Sequence, residues 1–253
     1  MQAGQKLAEG KTKIISLHPD DPTLVIMEHK DGITAGDGAR RHVIPGKGVL
    51  SGRTTANVFA LLNAAGVHTH FVSAPEAQRM LVRRCSMLPI EVVTRRLASG
   101  SYLKRYPGIS EGTRFEPPLI EFFLKDDARH DPQISADDIV ALGLANAAEL
   151  EHIQAETLRV FTLLEQAWAE QQVTLVDLKI EFGRSLAGEQ AGMPIVADVI
   201  DNDSWRIWPA GDKARMLDKQ VYRNMPDVTE AGLADIKALY EQVAAMTDRW
   251  VGR

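Results

Sequence analysis

Cysteine is nearly absent from this 253-residue chain, aromatic residues make up only 6% of it, and no long apolar run occurs. Because Cys85 is the single cysteine, no internal disulfide can form, and this usage is typical of a reducing compartment. No segment reaches the roughly 18 consecutive apolar residues of a membrane-spanning helix, and the first residues lack the apolar core of a signal peptide. We therefore expect a cytoplasmic protein without a membrane contact.

Two nucleotide-binding motifs are missing as well. No Gly-x-Gly-x-x-Gly occurs, so a Rossmann dinucleotide site has no support. Residues 10–12 (Gly-Lys-Thr) resemble the end of a P-loop, but five residues separate their glycine from Gly4, and the residues that follow are extended in pattern. A glycine-containing strand turn with Lys11 and Lys13 could still cover phosphates, as the glycine-rich loop of kinases does. An ordinary edge turn is the alternative.

The composition is that of a globular protein, with 45% apolar and 25% charged residues, and it excludes a disordered or collagen-like chain. The formal charge of −5 argues against a general nucleic-acid binder. That average hides opposed blocks: between Arg83 and Arg105, six basic residues accompany Glu91 alone, whereas acids outnumber bases in residues 121–138 and 177–203. Such blocks could bind an anion and a metal in one cleft, although charge runs are more often solvated surface.

Hydrophobic periodicity predicts a small β-rich lobe followed by a larger mixed α/β lobe. Asn146 and Glu149 occupy capping-box positions before a long helix. Residues 87–89 (Met-Leu-Pro) form a natural crossing point, so we predict an N-terminal lobe over residues 1–88 and a C-terminal lobe over residues 89–253. The predicted strands cover Leu24–Met27, Val67–Val72, Met80–Val82, Ile90–Val93, Ile120–Leu124, Leu175–Phe182 and Pro194–Ile200, and the predicted helices cover Ser51–Gly66, Asn146–Gln172 and Thr229–Trp250.

The clearest pattern is the strict alternation of residues 175–182, which places apolar side chains on one face of a strand and charged side chains on the other. Charges in a row on a strand face are costly unless they meet water, a partner or a ligand. If the next strand pairs with this one, Glu181 and Asp198 could approach as oxygen ligands of a Mg²⁺ ion shared with nucleotide phosphates. A solvent-exposed charge ladder is the alternative. The charged face consists of Asp177, Lys179 and Glu181.

Two further segments carry polar side chains suited to binding. Residues 125–132 form a dense polar loop after a predicted strand, although a histidine in such a loop is more often a turn element. Arg95 and Arg96 precede a Ser-Gly-Ser run at residues 99–101, which together offer guanidinium forks and hydroxyls suited to a phosphate or carboxylate. Gly100 would let a backbone approach closely.

Taken in order, seven segments resemble the SAICAR synthetase (phosphoribosylaminoimidazole-succinocarboxamide synthase) family. Each motif alone is weak, but the series spans nearly the whole chain. The resemblance implies an α+β, two-lobed fold, with a kinase-like N-terminal antiparallel β lobe over an ATP-grasp-like α/β C-terminal lobe and ATP between them. The matching segments are residues 7–13, 33–40, 89–101, 123–132, 175–183, 197–206 and 218–223.

The activity implied by the resemblance is that of an ATP-dependent carbon–nitrogen ligase in de novo purine biosynthesis. Such a ligase joins carboxyaminoimidazole ribonucleotide (CAIR) to L-aspartate through an acyl phosphate and releases ADP and phosphate. The implied partners are these small molecules with Mg²⁺, not a nucleic acid, and a homo-oligomer is left open. Many relatives carry an acid where this chain has Val199, so any role of that acid is absent here or moved.

The resemblance also implies roles for individual positions. The expected ATP-binding residues are Lys11, Lys13, Met87 at the adenine, and Glu181. The expected metal ligands are Glu181 and Asp198, and the expected catalytic residues are Lys179, Lys125 and Asp131. The expected substrate-binding residues are Asp37, Arg40, Arg95, Ser101, Asp177, Asp203 and Arg206.

Three other functions compete with this interpretation. A kinase-like phosphotransferase would share the glycine turn and the cleft, but the sequence has no His-Arg-Asp or Asp-Phe-Gly segment. A nucleotide-binding regulatory module would not need so complete a set of charged residues. A nucleic-acid binder using residues 83–105 would need interleaved aromatic side chains, for which only Tyr102 and Tyr106 are candidates.

Overall fold

A computed structural model describes residues 3–36 and 38–251 of the chain. The strands are β1 (Lys6–Glu9), β2 (Lys13–Leu17), β3 (Leu24–His29), β4 (Gly32–Ala35), β5 (Arg40–Val43), β6 (Phe71–Glu76), β7 (Arg79–Arg83), β8 (Cys85–Leu97), β9 (Arg114–Leu124), β10 (Gln133–Ile134), β11 (Val173–Ser185), β12 (Pro194–Ala197) and β13 (Trp205–Pro209). The helices are α1 (Lys47–Ala64), α2 (Ser101–Arg105), α3 (Ala136–Ala141), α4 (Ala147–Ala169), α5 (Gln220–Asn224) and α6 (Glu230–Thr247). None of these described helices combines the length and the apolar character needed to cross a bilayer.

The strands form two main antiparallel sheets and a hairpin. The first sheet has the order β1-β2-β3-β7-β6, and β4 and β5 form the separate hairpin. The second sheet has the order β10-β9-β8-β11-β12, and β13 also pairs with β11. Because β11 has β8 along one edge and both β12 and β13 along the other, it is the central strand of this sheet. Antiparallel sheets with separate helices are the α+β arrangement that the sequence predicts.

Helix α4 confirms the predicted capping box. The Asn146 side chain accepts a hydrogen bond from the Glu149 amide at 2.9 Å, and the Glu149 carboxylate accepts one from the Asn146 amide at 2.8 Å. The apolar stripe of the helix packs on the second sheet through Ile153, Phe161 and Leu164, all of which are buried. Helix α4 therefore covers the face of the sheet that carries the apolar side chains of β11.

Helix α1 begins at Lys47, earlier than the predicted start at Ser51. The reason is a distant cap: Asp31 accepts hydrogen bonds from the amides of Gly46 and Gly48 at 3.0 and 2.8 Å. These N–H groups would otherwise lack a partner at the helix N-terminus. Since the cap comes from another element, local sequence at the helix start could not reveal it.

The predicted strand Val67–Val72 is wrong in its span, because β6 begins only at Phe71. The residues before it bond instead to β12 in the other sheet. The His70 amide donates to the Val196 carbonyl at 2.9 Å, and the Val196 amide donates to the His68 carbonyl at 3.0 Å. Residues 67–70 therefore tie the first sheet to the second.

Strand β8 is longer than the predicted Ile90–Val93 and pairs with β11 from Cys85 to Arg95. The predicted boundary between residues 88 and 89 lies within this strand, and the division into lobes at that position stays a prediction. Gly183 of β11 allows the two strands to approach, since a Cβ there would lie 2.7 Å from Cβ of Cys85 and 2.9 Å from Sδ of Met87.

The buried carboxylate of Asp218 links β13 to α5. It accepts hydrogen bonds from the amides of Ile207 and Gln220 at 3.1 and 2.8 Å. Burial raises the pKa of Asp218 to about 6, although these amides act in the opposite direction. The unfolded chain, where aspartate ionises near a pKa of about 3.9, binds this proton less tightly. Protonated Asp218 therefore stabilises the folded protein below about pH 4, and this stabilisation is lost as the pH rises to about 6.

Asp218→Asn removes this titration. We compare the free energies of unfolding of the variant and the wild type. Between about pH 4 and pH 7, we expect the difference to shift in favour of the variant by on the order of 2 kcal/mol. The asparagine amide also faces a backbone donor, which adds a cost that does not depend on pH. Urea unfolding of both proteins across this range measures the difference. A constant difference at every pH would contradict the prediction.

Candidate active site

A cavity of about 1180 Å³ opens over the charged face of β11. Its roof is the β1–β2 turn with Lys11 and Lys13, and one side is the β4–β5 hairpin. Its floor includes Lys179 and Glu181 of β11. The volume exceeds what one small ligand requires, so the cavity can hold a nucleotide together with a second molecule.

The floor follows from the alternation of β11. Leu178, Ile180 and Phe182 belong to the buried apolar core, as predicted. Glu181 of the opposite face is only 3% exposed and lies across from Ala197 of β12. Asp198 follows directly, with a left-handed backbone of φ 65°. The predicted pairing of the two strands is thus confirmed, but the predicted span Pro194–Ile200 is wrong, because the left-handed backbone at Asp198 ends the extended strand after Ala197.

Three lysines and three acids meet where Lys13 of the roof reaches the floor, and we call them the acid–lysine cluster. The Lys179 ammonium lies 2.6 Å from Glu91 Oε1 and 3.0 Å from Glu181 Oε1. The Lys125 ammonium lies 2.5 Å from Glu181 Oε2, and Lys13 pairs with Asp198. The charges of the cluster therefore balance. Its members are Lys13, Glu91, Lys125, Lys179, Glu181 and Asp198.

Burial and neighbouring charges shift the pKa values in this cluster in opposite directions. Burial acts to raise the pKa of Glu181, but Lys179, Lys125 and Lys13 outweigh it and hold that pKa at about 2. Burial acts to lower the pKa of Lys179, but Glu181 and Glu91 hold it above its ordinary value. Burial lowers the pKa of Lys13 to about 8. The acid of β11 is therefore ionised at neutral pH and available as an oxygen ligand.

The β1–β2 turn above the cluster is a strand turn and not a P-loop. The Gly10 amide donates to the Lys13 carbonyl at 2.9 Å, and an extended strand follows. Lys30 holds the turn in place, because its ammonium donates to Glu9 Oε1 at 2.8 Å and to the Gly10 carbonyl at 3.2 Å. The turn is therefore held over the cavity with Lys11 exposed and Lys13 half-buried.

A second group of charges lies at the other end of the β11 face, and we call it the arginine network. Buried Arg95 donates to Glu121 at 2.5 Å and to Asp177 at 3.0 Å. Arg206 donates to the same Asp177 oxygen. Its members are Arg95, Arg105, Glu121, Asp177 and Arg206.

Beside this network is a smaller cavity of about 180 Å³ whose lining includes Ser99, Gly100 and Arg206. Gly100 has a φ of 56°, and a Cβ at this position would overlap the Arg206 guanidinium. Only glycine brings the backbone so close to this side chain. Ser101 follows as the first residue of α2 and is exposed.

The structure gathers eight of the predicted site residues around the main cavity. These are Lys11, Lys13, Lys125, Asp131, Lys179, Glu181, Asp198 and Asp203. Six others are not among the described residues that line it: Arg40, Met87, Arg95, Ser101, Asp177 and Arg206. Asp37 lies outside the described residues. The Arg40 guanidinium donates to the carbonyls of Tyr222 and Met225 at 3.3 and 2.6 Å, and Met87 lies exposed on β8.

Several residues of the cavity were not predicted. In the sequence, Glu91 is notable only as the single acid among the basic residues between Arg83 and Arg105. In the structure, its ion pair with Lys179 makes it a member of the acid–lysine cluster. Lys47 is buried between two glycines at the start of α1, and Lys219 follows the buried Asp218. The matching segment at residues 218–223 was the one signal for Lys219. The unpredicted polar residues that line the cavity include Lys47, Ser51, Glu91, Asp201 and Lys219.

Comparison with known proteins agrees with this geometry. The family model of SAICAR synthetase matches residues 6–238. The phosphoribosylaminoimidazole-succinocarboxamide synthase of Roseiflexus castenholzii is 66% identical over 253 residues, which cover 100% of both chains.

Solved structures extend the likeness to the fold. The structure of phosphoribosylaminoimidazole-succinocarboxamide synthase from Ehrlichia chaffeensis is 34% identical, with a TM-score of 0.87 over 96% of this chain and 98% of that one. A SAICAR synthetase in complex with ADP is 33% identical, with a TM-score of 0.84 over 95% of this chain and 96% of the other. The predicted α+β, two-lobed fold is confirmed, and the chain belongs to the SAICAR synthetase family.

Proposed function

We propose that this chain is an ATP-dependent ligase that joins CAIR to L-aspartate and releases SAICAR, ADP and phosphate in purine biosynthesis. The acid–lysine cluster on the floor of the main cavity is the observation that carries this proposal. It presents cations for phosphates and ionised acids for a metal within one cleft. Family membership and the 66% identical synthase support the same reaction. A cytoplasmic location stays a prediction from the cysteine usage.

The chemistry explains why a ligase needs such a site. A carboxylate is a poor acyl donor because its leaving oxygen would be an oxide. Transfer of the ATP γ-phosphoryl group to a CAIR carboxylate oxygen gives an acyl phosphate and ADP. The neutral aspartate amine then attacks the acyl carbon, phosphate leaves with that oxygen, and the nitrogen loses one proton and keeps one hydrogen in the amide. Catalysis of this kind depends on positioning and on neutralising the phosphoryl charge.

ATP would lie between the β1–β2 turn and the acid–lysine cluster. Lys11 and Lys13 of the turn would contact its phosphates, and the chain near Met87 would meet the adenine. The related SAICAR synthetase in complex with ADP supports nucleotide binding in this fold. Lys179 and Lys125 would turn from their present carboxylate partners toward the incoming phosphate oxygens.

The donor chemistry of the cluster fits Mg²⁺. Glu181 and Asp198 supply carboxylate oxygens, and Mg²⁺ is commonly held by one or two carboxylates together with substrate phosphates. Among the described residues no group of three His, Cys, Asp or Glu side chains forms a metal cage, and this mode of binding needs none. Bound there, Mg²⁺ would neutralise phosphate charge during transfer. Glu181 and Asp198 would hold it.

The ribonucleotide would extend from the cluster toward the arginine network. Arg206, Ser101 and the backbone at Gly100 would grip its phosphate beside the smaller cavity, with Arg95 behind them. Asp177 and Asp203 would contact the imidazole–ribose part, and Asp37 with Arg40 would complete the cleft. Lys125 and Asp131 would place aspartate or the carboxylate under attack. Asp131 is fixed for such a role, because it accepts a hydrogen bond from the Asp126 amide at 2.8 Å.

Omitting one substrate at a time separates this ligase from the kinase-like alternative. With ATP, Mg²⁺, CAIR and aspartate present, we expect steady ADP release matched by SAICAR formation. Without either CAIR or aspartate, we expect sustained release to stop, because both are consumed in each turnover. A coupled ADP assay measures each case. ADP release at the same rate without aspartate would point to a kinase or ATPase and overturn the proposal.

Glu181→Gln tests the metal-binding role of the cluster. The amide keeps the shape of the side chain but loses the charge, so we expect turnover to fall by at least about 100-fold. Thermal melting checks that the variant is folded, and Glu116→Gln serves as the control because Glu116 is an exposed acid outside both cavities. If Glu181→Gln keeps wild-type activity, Glu181 is not a metal ligand in the reaction.

A further inference from the structure

The Asp203 carboxylate is anchored at both of its oxygens. Oδ2 lies 2.7 Å from the ammonium of Lys219, and Oδ1 accepts a hydrogen bond from the hydroxyl of Tyr240. Asp203 lines the main cavity, whereas Tyr240 is 1% exposed and is not among the described residues that line it. The carboxylate is thus held from behind by a side chain that has no access to a ligand.

Tyr240 belongs to helix α6, which is otherwise a packing element. Its neighbours Ile236 and Val243 are buried in the core, and Thr229 caps the helix by accepting from the Gly232 amide at 3.1 Å. The aromatic ring of Tyr240 also packs against Lys47, whose ammonium lies 4.8 Å from the ring centre. The position of the hydroxyl is therefore fixed by the packing of the whole helix.

The charge states suit this arrangement. Burial acts to raise the pKa of Asp203, but Lys47 and Lys219 outweigh it and lower that pKa, so the group stays an acceptor. Burial and the Asp203 charge raise the pKa of Tyr240, so its hydroxyl stays a donor. The neighbouring Asp201 differs, because burial and Asp203 raise its pKa. Each carboxylate oxygen has two lone pairs, and both Asp203 oxygens keep acceptor capacity beyond these anchors.

We propose that Tyr240 and Lys219 are positioning residues that orient the Asp203 carboxylate to accept a hydrogen bond from a hydroxyl group of the ribonucleotide substrate. This inference rests on the proposed function, which assigns Asp203 to the imidazole–ribose part of CAIR. Helix α6 would then contribute to substrate binding through one hydroxyl group. Lys219 also lines the cavity and could meet a ligand directly, so Tyr240 provides the cleaner test.

Tyr240→Phe removes the hydroxyl and keeps the ring. We expect KM for CAIR to rise about tenfold, the size expected for the loss of one hydrogen bond to a charged acceptor. KM for ATP and kcat should stay within about twofold of the wild type, since the acid–lysine cluster is untouched. The matched control is Thr247→Val, which removes another buried hydroxyl of helix α6, one that donates to the Ala244 carbonyl at 2.9 Å and lines neither cavity. It should leave KM for CAIR unchanged.

A double-mutant cycle with Asp203→Ala shows whether Tyr240 acts through Asp203. If it does, Tyr240→Phe adds no further increase in KM for CAIR once Asp203 is truncated. An unchanged KM for CAIR in Tyr240→Phe, or an equal loss in every constant together with a lower melting temperature, would overturn the inference. The proposed function is tested separately by the wild type. If ADP release by the wild type requires both CAIR and aspartate, the proposed function holds even when the inference about Tyr240 fails.

Discussion

The rest of the site depends on burying a charged strand face inside a sheet. Strand β11 is the central strand of the second sheet, and Asp177 and Glu181 on it are almost fully buried. An unpaired charge in such a place costs several kcal/mol, or the group loses its charge. Here each acid meets cations: Arg95 and Arg206 at Asp177, and lysines at Glu181. We propose that these counter-charges are also the groups that bind the phosphates of the substrates.

The same strand sets the spacing of the two ends of the site. Side chains on one face recur at every second residue, so the span from Asp177 to Glu181 is roughly 13 Å along the strand. The acid–lysine cluster lies at one end of this span and the arginine network at the other. In the proposed binding mode, the carboxylate of the ribonucleotide would lie at the cluster and its phosphate at the network. One rigid strand would then align the reacting carboxylate and the anchoring phosphate, which is the positioning that acyl transfer requires.

Much of this arrangement can be predicted from the sequence, because it depends on residues that are close together in the chain. The alternation of β11 and the capping box of α4 each depend on residues a few positions apart, and both are confirmed. Features made by distant residues could not be predicted in this way. Asp31 sets the start of α1, and Tyr240 anchors Asp203 from the last long helix. Residues 67–70 alternate like a strand but bond to β12 of the other sheet.

We propose that the β11 face supports transfer of a phosphoryl group to the CAIR carboxylate before aspartate attacks. The most direct measurement uses CAIR with both carboxylate oxygens labelled with ¹⁸O and analyses the released phosphate by mass spectrometry. One labelled oxygen should appear in each phosphate formed, and the other should remain in the amide carbonyl of SAICAR. Phosphate free of the label, formed at the normal rate with SAICAR, would contradict activation through an acyl phosphate.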